Sequence, residues 1–405
     1  MSNDTQPEIR FPGFTDDWEQ RKLKEFGKST GGTSIESEFV EGGKYKVISI
    51  GSYSEQSVYT DQNIRAELTD KTRNRVLNKG DLTMILNDKT ASGNIIGRVL
   101  LIDSNDSYVY NQRTERIEPD HKKYDSQFLY HMLNAPMIRS KIIKQAQGNT
   151  QIYVNWSAIG ELDYLVPNLD EQREIGAFFF NLNNLITLHQ RKLDLLKETK
   201  KGFLQKMFPK NGAKAPEIRF PGFTKDWEER TLGDVFSERS ERSSEGELIS
   251  VTINSGVIKA SELDRKDNSS DNKSNYKKVE VGDIAYNSMR MWQGASGYSS
   301  YEGILSPAYT VIIPKEGTDS KFFAYDFKRY DMIQTFKRNS QGLTSDTWNL
   351  KFPTLKLVKI MVPSIEEQKQ IAAFFERLDN TIALHERELD VLKETKKGFL
   401  QKMFV

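Results

Sequence analysis

The sequence L-K-E-T-K-K-G-F-L-Q-K-M-F occupies residues 196–208 and occurs again, unchanged, at residues 392–404. A second sequence, P-E-I-R-F-P-G-F-T, occupies residues 7–15 and recurs at residues 216–224. The long stretches between these repeats have little identity to one another. The chain is therefore an internal duplication whose boundaries are kept and whose middle regions differ.

Each copy of the first repeat ends a segment in which apolar residues are spaced alternately four and three positions apart. This spacing is typical of a coiled-coil seam. We predict two long helices, at residues 167–208 and 363–405, that pack on each other as an antiparallel pair related by a pseudo-two-fold axis. The predicted seam residues form two matching series: Ile175, Phe179, Leu182, Ile186, His189, Leu193 and Leu196, then Ile371, Phe375, Leu378, Ile382, His385, Leu389 and Leu392.

The helix starts carry capping residues. Asp170 and Ser364 are predicted to be the N-caps, and Glu171 and Glu367 are expected to interact with the positive end of the helix dipole. The identical helix ends are expected to present one surface twice, to two copies of the same partner.

The two middle regions are predicted to fold as α+β domains, at residues 1–166 and 216–362, joined by a linker at residues 209–215. In each region short β-type runs come first, such as residues 95–102 in the first and residues 309–313 in the second. A helical stretch follows, at residues 127–145 and 321–337.

Composition excludes several kinds of protein. The 405 residues include no cysteine, so disulfides and thiolate metal sites are impossible. We find no apolar leader and no run of membrane-spanning length, so a cytoplasmic location and no membrane contact are expected. The phosphate-binding, dinucleotide-binding, metalloprotease and amino-methyltransferase motifs are all missing from the sequence, which favours a binding protein over an enzyme.

Two features of the helices allow more than one interpretation. His189 and His385 are interpreted as polar seam residues that fix the register, with a metal site or a pH switch as the alternative. Apolar residues outside the seam are expected either to contact the chain's own domains or to dock other subunits; they are Phe178, Leu185, Leu188, Leu195, Phe374, Leu384 and Val391.

Three duplicated motifs carry a resemblance to a known family. They are W-E-x-[RK]-x-L at residues 18–23 and 227–232, P-x-[LI]-x-E-Q-x-x-I at residues 167–175 and 363–371, and the repeated helix end. Together they are highly specific, and the chain resembles the specificity subunit of a type I restriction-modification system over essentially its whole length.

The resemblance implies a non-catalytic subunit for bacterial defence. Each domain would be a target recognition domain that reads one half of a bipartite, asymmetric site in double-stranded DNA, and the helices would set the gap between the halves. Two modification subunits would bring S-adenosylmethionine and methylate adenine, and two restriction subunits would use ATP and Mg²⁺. This chain would bind no cofactor or metal itself. The alternatives are a DNA-binding scaffold of another two-component methyltransferase or nuclease, and an enzyme whose active site escapes motif analysis.

Candidate DNA contacts follow from side-chain chemistry alone. Arginine and glutamine are the usual readers of guanine and adenine edges, and basic or hydroxyl side chains contact phosphate. The alternatives are a buried strand end, a solvated charge or a plain turn. The candidates are Arg73, Lys89 and Thr150 in the first domain and Arg290, Trp292, Gln293, Arg338 and Thr344 in the second.

Overall fold

The structure is a computed structural model that describes residues 5–90, 92–210, 212–263, 272–344 and 347–405. The chain forms two compact units, one of residues 1–190 with 387–405 and one of residues 191–386. Each unit contains a domain of mixed helix and sheet together with parts of two long helices. The predicted α+β class is confirmed.

The first domain contains short strands followed by helices. The strands are β1 (Glu19–Lys22), β2 (Gly27–Gly31), β3 (Tyr45–Ile48), β4 (Arg65–Ala66), β5 (Leu82–Ile85), β6 (Asn87–Asp88), β7 (Val99–Leu101), β8 (Tyr108–Tyr110), β9 (Thr114–Pro119), β10 (Ile152–Tyr153) and β11 (Asp163–Val166). The helices are α1 (Asp70–Arg73), α2 (Ser126–Asn134), α3 (Pro136–Ile143) and α4 (Trp156–Ile159), followed by the long helix α5 (Leu169–Lys206).

The main sheet of this domain has the strand order β2-β9-β5-β7 and is antiparallel throughout. A second sheet has the order β4-β3-β8, in which β3 and β8 run parallel. Two further ladders pair β1 with β11 and β6 with β10. The β6–β10 ladder is the part that positions the candidate site.

In the described residues, the second domain also has one four-stranded sheet, but its smaller sheets have two strands each. Its strands are β12 (Glu228–Thr231), β13 (Phe236–Glu238), β14 (Ile249–Thr252), β15 (Gly256–Lys259), β16 (Lys277–Val279), β17 (Ile284–Asn287), β18 (Ser296–Tyr298), β19 (Gly303–Leu305), β20 (Tyr309–Pro314) and β21 (Lys359–Val362). Its helices are α6 (Leu232–Val235), α7 (Ser320–Asp326), α8 (Tyr330–Asn339) and α9 (Phe352–Leu355), followed by the long helix α10 (Ile365–Lys402). The main sheet has the order β13-β20-β17-β18, and the smaller sheets include β14-β15 and β16-β19.

Both predicted helical stretches are interrupted. In the first domain α2 ends at Asn134 and α3 begins at Pro136, because proline has no N–H to donate within a helix and is suited to the first helical position. In the second domain α7 ends at Asp326 and α8 begins at Tyr330. Each predicted stretch is therefore helical, but it is divided into two helices.

The starts of the long helices differ from the prediction in one cap. The N–H of Glu171 donates to the Asn168 side chain at 3.0 Å, so Asn168 rather than Asp170 caps α5. The N–H of Glu367 donates to the Ser364 hydroxyl at 3.4 Å, as expected of an N-cap.

The duplicated P-E-I-R-F-P-G-F-T sequence is tied to the start of a long helix in each unit. In the first unit Arg10 donates from Nε and Nη2 to the two carboxylate oxygens of Glu171, at 2.6 and 2.8 Å. In the second unit Arg219 makes the same pair with Glu367, both at 2.7 Å. Both carboxylates are buried, so these bidentate pairs supply charge compensation that a dipole interaction alone would not. The glutamates therefore have a second role that was not predicted.

The same sequence also caps the far end of a long helix. The Ile9 N–H donates to the Lys402 carbonyl at 3.0 Å, and the Ile218 N–H donates to the Lys206 carbonyl at 2.9 Å. Each copy thus satisfies a carbonyl that helix geometry leaves without a partner. In each unit one copy joins the start of one long helix to the end of the other.

The repeated helix ends are buried inside the domains. Met403 and Phe404 lie in the core of the first unit, and Met207 and Phe208 lie in the core of the second. The expectation that the whole repeat forms a partner surface is therefore wrong for these residues, because they are enclosed by their own chain.

Within each unit the long helices run antiparallel. In the first unit the Phe178 ring lies 5.0 Å from that of Phe399, and His189 Nδ1 lies 3.6 Å from Glu388. In the second unit the Phe203 ring lies 5.0 Å from that of Phe374, and Lys197 Nζ lies 2.7 Å from Glu386. Every predicted seam residue is buried or partly buried.

The described part of the chain contains no helix with an apolar stretch of the length that crossing a membrane requires.

Candidate nucleic-acid interface

In the second domain, a tight turn between β17 and β18 brings three predicted contact residues together. Met291–Gln293 form a single 3₁₀ turn, and Gly294 ends it in the left-handed region at φ +86°. Met291 is fully buried and anchors the turn, whereas Arg290 is exposed. The sequence therefore folds so that one apolar side chain points inward and the polar ones remain accessible.

The side chains of this turn are held by short contacts. Arg290 Nη1 donates to Gln293 Oε1 at 3.1 Å, and the Trp292 indole N–H donates to the Met289 carbonyl at 3.0 Å. From below, Lys328 Nζ donates to the Gly294 carbonyl at 2.6 Å. Burial, together with Lys200, lowers the pKa of Lys328 to about 8. The turn is thus fixed by both its own side chains and a partly buried lysine.

A neighbouring loop contributes an aromatic residue that sequence analysis missed. Trp348 meets Trp292 edge to face, with ring centroids 5.2 Å apart. The ammonium group of Lys337 lies 5.6 Å from the Trp348 ring, within cation–π range. The signal that could have revealed Trp348 is its place four residues after the candidate Thr344.

The remaining two candidates of the second domain lie near this pair in the chain. Thr344 is exposed in the loop between the bridged residues Gln341 and Asn349, and its N–H donates to the Thr347 hydroxyl at 3.2 Å. Arg338 lies on α8 and donates to the Thr335 hydroxyl at 3.0 Å. Both side chains are exposed to solvent.

In the first domain the β6–β10 ladder positions Lys89 and Thr150. Lys89 follows β6 directly, and Thr150 precedes β10 by two residues. Because Ile152 pairs with Asp88, both candidates lie at the same end of the ladder, and both are exposed.

The loop after β6 is shaped by a buried carboxylate. Asp88 accepts hydrogen bonds from the N–H groups of Thr90, at 2.9 Å, and Ile95, at 3.1 Å. Burial opposes the charged form, but these N–H donors outweigh it, and the pKa of Asp88 lies below its usual value. The charged carboxylate therefore holds the loop closed.

Two arginines fix the other side of this loop. Arg139 donates from Nε to the Ile96 carbonyl at 2.9 Å and from Nη2 to the Asn94 carbonyl at 2.7 Å. Arg98 donates from Nε to the Asn94 carbonyl at 3.4 Å and from Nη1 to the Ser57 hydroxyl at 3.3 Å. Burial and the charge of Arg98 lower the pKa of Arg139 to about 10. These guanidinium groups act on the loop backbone, which leaves Lys89 as an accessible cation.

Arg73 is not brought to this site. It is the last residue of α1, and its guanidinium lies 3.8 Å from the Asp70 carboxylate. Within the described ranges, no hydrogen bond or ion pair joins it to the loop of Lys89.

The apolar residues outside the helix seam divide into two groups. Phe178 contacts Phe11, and Phe374 contacts Phe220, with ring centroids 5.7 and 5.9 Å apart, so these two pack on the duplicated sequence of their own unit. The others are exposed: Leu185, Leu188, Leu195, Leu384 and Val391. The pairs Leu188/Leu384 and Leu195/Val391 are each separated by 196 residues, the spacing of the repeat.

Comparison with known proteins gives the family. The family described as "Type I restriction modification DNA specificity domain" matches residues 15–198 and again residues 224–394. The chain belongs to this family. The two matches also confirm the internal duplication, and together they include most of the chain.

Curated relatives agree with this assignment. The MjaVIII specificity subunit of Methanocaldococcus jannaschii is 23% identical over 349 residues, which is 80% of this chain and 78% of that protein. The putative MjaX specificity subunit of the same organism is 24% identical over 323 residues, 75% of this chain and 73% of that protein.

Solved structures share the fold. The S subunit of the type I restriction-modification system from M. genitalium superposes with a TM-score of 0.62 at 17% identity, covering 99% of both chains. A chain from a study of complex assembly and conformational transition in a type I system superposes with a TM-score of 0.53 at 16% identity, covering 98% of this chain and 99% of that one. The order of domains and long helices is therefore that of known specificity subunits.

Proposed function

We propose that this chain is the non-catalytic subunit that selects the DNA sequence in a type I restriction-modification complex. Each domain would read one half of a bipartite, asymmetric site. The observation that carries the proposal is a contrast between the supporting residues and the candidate DNA contacts. The Arg10–Glu171 and Arg219–Glu367 pairs are duplicated, whereas the exposed turns of Lys89 and Arg290 differ in sequence. Two domains with different exposed turns, held by duplicated contacts, suit a DNA site with two different halves.

The low net charge of the chain supports a complex in which other subunits supply most of the contacts to DNA phosphate. The net charge is only +1, whereas a protein that holds DNA unaided is usually clearly basic. Modification subunits that grip phosphate would supply the missing attraction. They would also carry S-adenosylmethionine, and the restriction subunits would use ATP and Mg²⁺, so this chain would need no cofactor of its own.

The exposed apolar residues of the long helices are the proposed docking sites for two modification subunits. The first unit carries Leu188 and Val391, and the second carries the matching Leu384 and Leu195. Apolar side chains at equivalent positions would let two copies of one partner bind equivalent surfaces.

The function is tested by methyl transfer from S-adenosylmethionine to DNA. We expect transfer only when this chain and its modification subunit are combined. Robust transfer by this chain alone would contradict the proposal and favour an active site within the domains. Adding restriction subunits should produce ATP-dependent cleavage of unmodified DNA; its absence would favour the two-component methyltransferase alternative.

Docking is tested by paired charge substitutions. The double variant Leu188→Asp with Val391→Asp is expected to lose one modification subunit, because burying two carboxylates in an apolar contact should cost about 2 kcal/mol or more. Native mass spectrometry should show two partners on the parent chain and one on the variant. The matched control, Leu384→Asp with Leu195→Asp, should lose the other partner. Unchanged stoichiometry in both variants would show that these residues are not the docking sites.

A further inference from the structure

The hydrogen bond between Arg290 and Gln293 determines which groups this turn can offer to a base. Arginine has only donors, so the atom of Gln293 that Arg290 Nη1 meets at 3.1 Å must be the amide oxygen. The amide nitrogen of Gln293 and the remaining guanidinium N–H groups stay available. The outward edge of this pair therefore consists of donors.

A donor-only edge distinguishes among the four bases. Adenine is usually read by glutamine through one donor and one acceptor, and here the amide oxygen of Gln293 is directed at the Arg290 guanidinium. Adenine and cytosine each present an amino donor in the major groove, which a second donor cannot satisfy. Thymine presents a single acceptor, O4, whereas guanine alone presents two adjacent acceptors, N7 and O6, which match the fork of a guanidinium.

The turn that carries this pair is held by three contacts. Met291 anchors the turn in the core, Lys328 holds the Gly294 carbonyl, and Trp348 packs against Trp292. Since these contacts hold the turn before a base arrives, less conformational entropy is lost on binding. Lys337 and Arg338 on α8 provide cations for the adjacent phosphates.

We propose that Arg290, oriented by Gln293, reads a guanine in the half-site recognised by the second domain. This inference rests on the proposed function and adds one base and two specificity-determining residues to it. Arg290 contacts the base, and Gln293 orients Arg290 and can add a donor of its own. In this arrangement Gln293 does not read adenine in the way that is usual for glutamine.

The test maps methylated adenines genome-wide in cells that carry this chain with its modification subunit and no other adenine methyltransferase. The half-site of the second domain is the half that changes when that domain is exchanged. We expect an invariant guanine in it. Arg290→Ala should reduce the preference at that one position by roughly 5- to 150-fold and leave the other positions unchanged. Gln293→Ala should weaken the preference at the same position by a smaller factor.

Arg230→Ala is the control, because Arg230 is an exposed arginine of the duplicated W-E-x-[RK]-x-L motif, paired with Glu228 at 2.7 Å. It should leave the recognised sequence unchanged. The inference is overturned if the half-site has no invariant guanine, or if Arg290→Ala lowers methylation equally at all sites. Absence of any bipartite methylation by the parent chain would instead overturn the proposed function, and the inference with it.

Discussion

Replacing Phe404 by alanine is expected to unfold part of the first domain. Its ring is buried and lies 5.8 Å from that of Phe128 and 5.7 Å from that of Phe179. Removing a buried phenylalanine leaves a cavity and costs about 3–5 kcal/mol, which is a large share of the stability of a domain. Met403 and Phe404 thus belong to a core whose remaining buried residues lie between Trp18 and Phe179.

Hydrogen exchange measured by mass spectrometry should detect this effect locally. Phe404→Ala should raise exchange in peptides that contain β5 and α2, and leave peptides that contain β17 and α7 unchanged. The matched control is Phe208→Ala, because Phe208 is buried against Phe322 in the second unit at a centroid distance of 5.3 Å. It should give the converse pattern. Equal effects of either substitution on both domains would contradict the division into two cores.

Exchanging residues 27–159 for the corresponding region of another specificity subunit is expected to change one half of the recognised DNA sequence completely. The other half and the gap between the halves should stay the same. The physical reason is that the exchanged region contains the loops of Lys89 and Thr150, whereas the long helices are retained. Adenine methylation maps of the parent and the chimera provide the measurement.

The limits of the exchanged region follow from the contacts of the retained part. Arg10 must keep Glu171, and β1 must keep β11, so the graft begins after residue 26 and ends before residue 160. The reciprocal graft in the second domain should change only the other half-site. If one graft altered both halves, each domain would not read its half independently.

Sequence patterns predicted the architecture because those patterns are local or repeated. The four-and-three spacing of Ile175, Phe179 and Leu182 marks a helix without reference to any other part of the chain. The observed helices, Leu169–Lys206 and Ile365–Lys402, lie inside the predicted ranges. The resemblance to the family was recognised from the three motifs that occur in both halves of the chain.

Long-range contacts were beyond prediction. Glu171 finds its partner, Arg10, at a separation of 161 residues, so only the local dipole interaction could be foreseen. Residues 95–98 were predicted to belong to a strand, but the observed strand β7 begins at Val99. Arg139 donates to the Ile96 carbonyl, and residues 95–98 form a turn. Tertiary hydrogen bonds outweighed the β-type sequence at that point.

In the candidate site, too, residues adjacent in the chain were predicted and long-range contacts were not. Arg290, Trp292 and Gln293 were predicted because they are adjacent in the chain, and the structure places them in one turn. Trp348 joins them from more than fifty residues away, and the role of the Gln293 oxygen depends on a side-chain conformation. Arg73 was selected for its charge alone and lies apart from the loop of Lys89.

The central claim is that two unlike domains read two unlike half-sites, and one measurement tests it most directly. Methylated adenines are mapped genome-wide in cells that contain only this chain and its modification subunit. The expected result is a single motif with two different specified halves, separated by a gap of fixed length and unspecified sequence, with a methylated adenine in each half. A contiguous motif, two identical halves, or methylation without sequence preference would contradict it.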